Sequence, residues 1–204
     1  MNSWCRVLVY PSTGVIYLRL GLVGGAVYLA CLSSVVDGAS KSIAVVSLMA
    51  VSRLLDLVDG NLARRFGQTT TFGSVFDLLA DLVTHTIVWW LSGLVFAPLM
   101  ILLEWVAGTG ILLTTWRGDA RWKLALTRDG PRWIQAYFRN NQRNRVCAYG
   151  SVGHFLVPVI AYSQFDSIWT YGLTVPGLLI FELATVFLIL AVARTIKKDP
   201  VERV

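Results

Sequence analysis

Four aspartates in this sequence are spaced for work on phosphate. In the run "DLVDGNLARRFGQTTTFGSVFDLLAD", which begins at Asp56 and ends at Asp81, Asp56 and Asp59 are three residues apart and Asp77 and Asp81 four apart. On helices each pair projects from one face. Gly60 and Ala63 continue the first acidic face with small side chains, which leaves room for a flat ligand against the backbone. Arg64 adds a positive fork suited to phosphate. The connection from Arg65 to Phe72 is short, polar at Gln68 to Thr71, and contains Gly67, so the spacing predicts an antiparallel helical hairpin whose acidic pairs face each other. Four carboxylates brought that close do not all stay ionised in a weakly hydrated site without cations. A hard divalent ion with oxygen ligands, Mg²⁺ or Mn²⁺, is the simplest solution and also bridges phosphate oxygens. A plainer reading, in which the acids only neutralise Arg53, Arg64 and Arg65, suits any one of them better than four at this spacing.

The elements that must position these acids are membrane helices. Of 204 residues 55% are hydrophobic and 15% charged, with a mean hydropathy of +0.62. Soluble domains carry about 25% charged residues, so an ordinary soluble fold and a disordered chain are both excluded. Six stretches reach the roughly 20 apolar residues that a bilayer requires. They lie near 13–36, 42–62, 72–95, 97–116, 145–163 and 168–193, and the second and third are the least apolar because they hold Arg53 and the aspartates. The expected fold is an all-α integral membrane protein with six transmembrane helices, and residues 1–204 form a single membrane domain.

Basic residues gather between the spans. One side would hold Arg6, Arg64, Arg65, the eight from Arg117 to Arg145, Arg194, Lys197, Lys198 and Arg203; the other side has only Lys41. The positive-inside rule then places both termini in the cytoplasm, with the acids near that face. The net charge of +6 is thereby explained by topology, and no nucleic-acid partner is implied. The segment around Leu29, Ala30 and Cys31 faintly resembles a lipoprotein cleavage site, but Tyr28 fits it poorly, and a retained span is expected. Cys5, Cys31 and Cys147 lack metal or disulfide spacing and read as packing residues. The long connection 117–144 reads as a surface loop with a short amphipathic helix through Trp133, Tyr137 and Phe138. Trp89, Trp90, Trp105, Trp116 and Trp169 fit an aromatic belt. His85 and His154 read as packed, hydrogen-bonded histidines, and Glu104 and Glu182 as structural partners of Arg19 or Arg53.

The acidic run resembles the signature of the CDP-alcohol phosphatidyltransferases, D-x-x-D-G-x-x-A-R, eight residues, then G-x-x-x-D-x-x-x-D. Asp56, Asp59, Gly60, Ala63, Arg64, Gly73, Asp77 and Asp81 fill every specified position. The resemblance implies that Asp56, Asp59 and Asp77 ligate metal and that Asp81 is the general base at its edge. It implies further that Asp56, Asp59, Gly60, Ala63, Arg64 and Gly73 line the site of a CDP-lipid such as CDP-diacylglycerol, that CMP is released, and that the protein is a homodimer. The location implied is the endoplasmic reticulum in a eukaryote or the plasma membrane in a bacterium, with the active site facing the cytoplasm.

Outside the signature the likeness is to eukaryote-type phosphatidylinositol synthases. Tyr17 and Arg19 match their first span, although Ser12 and Thr13 replace an expected Asn, and Arg117, Gly118 and Lys123 match a later R-G-x-x-x-x-K element. Myo-inositol is the acceptor this branch implies, with Arg117, Lys123 and Arg145 as acceptor-binding residues. The run Arg139, Arg143 and Arg145 keeps anionic acceptors open, as in phosphatidylinositol-phosphate or phosphatidylglycerophosphate synthases. Two other classes were weighed: an aromatic prenyltransferase, whose acidic motifs lack the Gly60, Ala63, Arg64 and Gly73 frame, and a cation transporter, which needs acids along a path rather than at one depth.

Overall fold

The computed structural model describes residues 10–32, 38–65, 70–118, 121–163, 165 and 167–197, and of residues 11, 12, 32 and 57–64 it describes the backbone alone. The described chain is helical: α1 (Pro11–Leu32), α2 (Gly38–Arg65), α3 (Thr71–Ser92), α4 (Ala97–Trp116), α5 (Arg121–Leu124), α6 (Arg132–Phe138), α7 (Arg145–Ser163) and α8 (Ile168–Lys197). A π-helical turn, Ala125–Asp129, continues α5, and a 3₁₀ turn, Arg139–Gln142, follows α6. Helices α1 to α4, α7 and α8 are long and apolar enough to cross a membrane, so the six expected spans are present with their ends shifted by a few residues.

The chain forms two compact units, Met1–Leu91 and Ser92–Val204. In the first, α1 and α2 bury Val23, Ala26, Val45 and Met49, while Leu18, Ile43 and Leu54 are exposed, forming an apolar outer surface that lipid would cover. Helix α3 starts from Thr70, whose Oγ1 accepts the Gly73 amide at 3.0 Å, the bond a helix N-cap makes to its third residue. A Cβ at Gly73 would sit 3.1 Å from that oxygen, so glycine leaves the cap room.

In the second unit α7 and α8 meet backbone to backbone. A Cβ on Gly153 would lie 2.5 Å from the Leu178 nitrogen and the Thr174 carbonyl, and one on Gly177 would lie 2.6 Å from the Tyr149 carbonyl. Only glycine permits that approach, the small-residue contact through which membrane helices gain dispersion energy without a hydrophobic drive. Pro176, inside α8, has no amide hydrogen for the preceding turn. One turn earlier the Leu173 carbonyl accepts the Tyr149 hydroxyl at 2.6 Å, which ties this stretch to α7. Helix α8 begins at a reciprocal cap in which Thr170 donates its amide to Ser167 Oγ at 3.2 Å and Ser167 donates its own to Thr170 Oγ1 at 3.1 Å.

The connection between α4 and α7 differs from the expected surface loop. Its α6 covers the predicted amphipathic stretch, but Trp122, Leu126, Ile134, Tyr137 and Phe138 are buried in one cluster with Ala184, Leu188, Ala191 and Val192 of α8. Burial, with the Cys147 thiol beside it, pushes the Tyr137 phenol well above its ordinary pKa and keeps it protonated. Asn144 fixes the end of the connection: its Nδ2 donates to the Tyr137 and Arg139 carbonyls at 2.7 and 2.9 Å, and its Oδ1 accepts the Cys147 amide at 2.9 Å. Two smaller expectations are corrected. Trp89 is fully buried rather than part of a belt, whereas Trp90, Trp116 and Trp169 are exposed. Cys31 is an exposed free thiol rather than a packing residue; Cys5 lies outside the described residues.

In the second unit the partner found for Glu104 and Glu182 is a histidine. Both close on His154, whose Nε2 lies 3.2 Å from Glu104 Oε1 and whose Nδ1 lies 2.8 Å from Glu182 Oε1, with Phe181 stacked on the ring at 4.1 Å. Arginine was the obvious partner for a buried glutamate, but a histidine with two ring nitrogens can serve two acids at once. His154→Leu should therefore strand two carboxylates in an apolar interior and cost about 3 to 5 kcal/mol. Thermal unfolding of the purified protein in detergent checks this, and an unchanged midpoint contradicts it.

Candidate functional site

Of the two acidic pairs, Asp56, Asp77 and Asp81 are brought together within the first unit. Asp56 comes from the C-terminal half of α2, and Asp77 and Asp81 come from consecutive turns of α3. One oxygen from each of the three lies within 4.8 Å of the others. Three carboxylates gathered this closely form a donor set that one hard divalent ion would suit. Asp59, Gly60, Ala63 and Arg64 continue α2 beyond Asp56, and their side chains lie outside the described residues.

Arg19, which sequence reasoning did not place here, stands at the centre of the three carboxylates. It is 1% exposed, its Nη2 lies 2.8 Å from Asp56 Oδ1, its Nη1 lies 2.9 Å from Asp77 Oδ1, and Nη2 also pairs with Asp81 Oδ1. Ser52 Oγ donates to the Arg19 carbonyl at 3.3 Å, which holds α1 against α2 at this level. Arg53 Nη1 pairs with the other oxygen of Asp56, Oδ2. The pairing of Arg53 with an aspartate agrees with the plainer reading of the sequence; Arg65 is exposed at the end of α2. Tyr17, two residues before Arg19, meets Phe76 edge-on at 5.7 Å, and Phe76 stacks on Phe72 at 6.3 Å. An aromatic step thus lies beside the acids on the first turns of α3.

The side chains of Asp77 and Asp81 are 40% and 31% exposed, against 14% for Asp56. Two of the three acids are therefore reachable from outside while Arg19 is sealed beneath. An all-oxygen, acidic, half-open donor set suits a hard divalent ion and offers nothing to a soft one.

The basic residues singled out for an acceptor lie in the second unit and are exposed: Arg117 follows the last turn of α4, Lys123 is in α5, and Arg145 opens α7. The Lys123 ammonium lies 5.4 Å from the Trp122 ring centroid. Arg139 and Arg143 are exposed as well, on either side of Asn140, Asn141 and Gln142, whose φ angles of 54°, 52° and 66° give the chain a left-handed turn.

Comparison with known proteins bears on residues in both units. The family model described as CDP-alcohol phosphatidyltransferase matches residues 8–130, well over half of the chain. No curated protein and no solved structure matches the chain significantly.

Proposed function

The chain belongs to the CDP-alcohol phosphatidyltransferase family, and from that premise we propose that it moves the phosphatidyl group of CDP-diacylglycerol onto the hydroxyl of myo-inositol, giving phosphatidylinositol and CMP. The observation that carries the phosphate chemistry is the convergence of Asp56, Asp77 and Asp81 on one point. These residues, with Asp59, would hold Mg²⁺ or Mn²⁺, and a bound divalent ion supplies charge neutralisation to a diphosphate and its leaving group.

The chain's own residues perform the rest. Asp81 gives Oδ1 to Arg19, and the oxygen not engaged there, Oδ2, takes the proton of the acceptor hydroxyl. The acceptor oxygen forms its bond to the lipid-side phosphorus as the bond from that phosphorus to the bridging oxygen of CMP breaks, and CMP departs with the electron pair. Gly60 and Ala63 leave the cleft open for the cytidine diphosphate part, Arg64 grips its phosphates, and Gly73 lets α3 start without crowding its cap. Two carboxylate sources on two helices fix the reacting groups relative to one another, which is the positioning this reaction depends on.

Myo-inositol rests on the likeness of Tyr17, Arg19, Arg117, Gly118 and Lys123 to one branch of the family. The placement of Tyr17 and Arg19 beside the acids favours a working role for that likeness. An anionic acceptor, inositol phosphate or glycerol phosphate, is the second reading, favoured by the exposure of Arg139, Arg143 and Arg145. Residues 1–204 act as one membrane domain in this reading, since the family match runs from the first unit into the second. Both termini and the active site face the cytoplasm, two copies form a homodimer, and the membrane is the endoplasmic reticulum or, in a bacterium, the plasma membrane.

Product analysis separates the acceptors. Purified protein given CDP-diacylglycerol with inositol, inositol phosphate, glycerol phosphate or serine in turn should form lipid only from inositol, and with little response to salt. A phosphorylated headgroup from inositol phosphate, with nothing from inositol, contradicts the choice of acceptor and leaves the family assignment standing.

A further inference from the structure

Arg19 is a buried cation inside a cluster of acids that otherwise suits a metal. Its guanidinium engages Oδ1 of Asp56, Asp77 and Asp81 together, the three carboxylates on which one ion would also draw. Arg53 takes the other oxygen of Asp56. A metal ion and the Arg19 fork would therefore claim the same carboxylates, and Asp77 and Asp81 keep part of their surface exposed while Arg19 is buried.

We propose that Arg19 is a resident counter-cation and positioning residue that competes with the divalent ion for Asp56, Asp77 and Asp81, holding the carboxylates together when the ion is absent and setting how tightly the ion binds. The inference rests on the reading of these aspartates as metal ligands. Without Arg19, the three carboxylates would lose the cation they share and would repel one another and splay. With it, their geometry is kept within 4.8 Å, and the arriving ion meets a formed site at the cost of loosening a guanidinium. The fork matters as well as the charge, since a planar guanidinium reaches several carboxylates where an ammonium is a point.

The arrangement makes an unusual demand: deleting a residue in contact with all three aspartates should tighten metal binding. A positive charge about 4 Å from a bound cation at an effective dielectric near 20 costs well over a tenfold factor in affinity before any relaxation. In Arg19→Gln the dissociation constant for Mn²⁺, read by electron paramagnetic resonance on protein in detergent without substrate, should therefore fall at least about tenfold. The same variant should melt lower than wild type in chelator and regain more on Mn²⁺ addition than wild type does. A purely structural Arg19 predicts weaker or unchanged Mn²⁺ binding, and either result overturns the inference.

If Arg19→Gln does not fold, Arg19→Lys is measured in the same way. It keeps the charge and loses the fork, so the same direction with a smaller shift is expected, and unchanged or weaker binding overturns the inference there too. Failure of the underlying reading looks different. Mn²⁺ binding by wild type that survives in Asp56→Ala and Asp77→Asn, or no binding by wild type and variant alike, removes the aspartates as ligands and the inference with them. Binding by wild type that those two variants lose, with no tightening in Arg19→Gln, removes the inference alone.

Discussion

Asp81→Asn should lower turnover by a factor on the order of 10² or more while CDP-lipid binding is largely kept. The amide retains the size of the carboxylate and can still rest against Arg19, but it cannot take a proton from a hydroxyl. Asp56, Asp59 and Asp77 remain to hold the metal. The expected signature is a fall in kcat with KM for the CDP-lipid little changed, which separates loss of a proton acceptor from loss of a binding group. Turnover near the wild-type rate would mean that another group serves as the base.

Asp56→Ala should act on binding instead. Asp56 is the most buried of the three described acids and the one that two arginines share, through Oδ1 to Arg19 and Oδ2 to Arg53. Removing it deletes a ligand oxygen and one of the negative charges that balance Arg19 and Arg53 against an incoming cation. Mn²⁺ affinity should fall by more than the roughly 10- to 100-fold that losing an outer partner of a metal ligand costs. CMP affinity measured in the presence of Mn²⁺ should fall with it. Equal CMP affinity with and without the Asp56 side chain counts against the metal role. Elution of the variant as wild type in size-exclusion chromatography guards against simple unfolding.

Much of the site was legible because its spacing is local. Asp77 and Asp81 must share a face on any helix, and a short polar connection after Arg65 makes α2 and α3 neighbours, so the meeting of the acidic pairs follows from the order of residues alone. Apolar length placed the six spans for the same reason. Arg19 was harder to place. It is a charge in a span and so demands a partner, but its partners are 58 and 62 residues away, and Glu104 and Glu182 were equally eligible by type. Within the second unit both glutamates meet His154, and within the first Arg19 and Arg53 meet the aspartates. The connection between α4 and α7 was misjudged because its many basic residues mask a set of large apolar ones. Trp122, Leu126 and Ile134 carry the burial, and the arginines between them stay at the surface.

The acids of α2 and α3 are expected to drive metal-dependent transfer from a CDP-lipid. The most direct measurement is CMP release from CDP-diacylglycerol by the purified protein, with an alcohol acceptor present and divalent ions first removed by chelation and then restored. CMP release that is absent in chelator, returns with Mg²⁺ or Mn²⁺, and requires the acceptor hydroxyl is the predicted result. Release that persists after complete chelation, or no release with any acceptor in either ion, contradicts it.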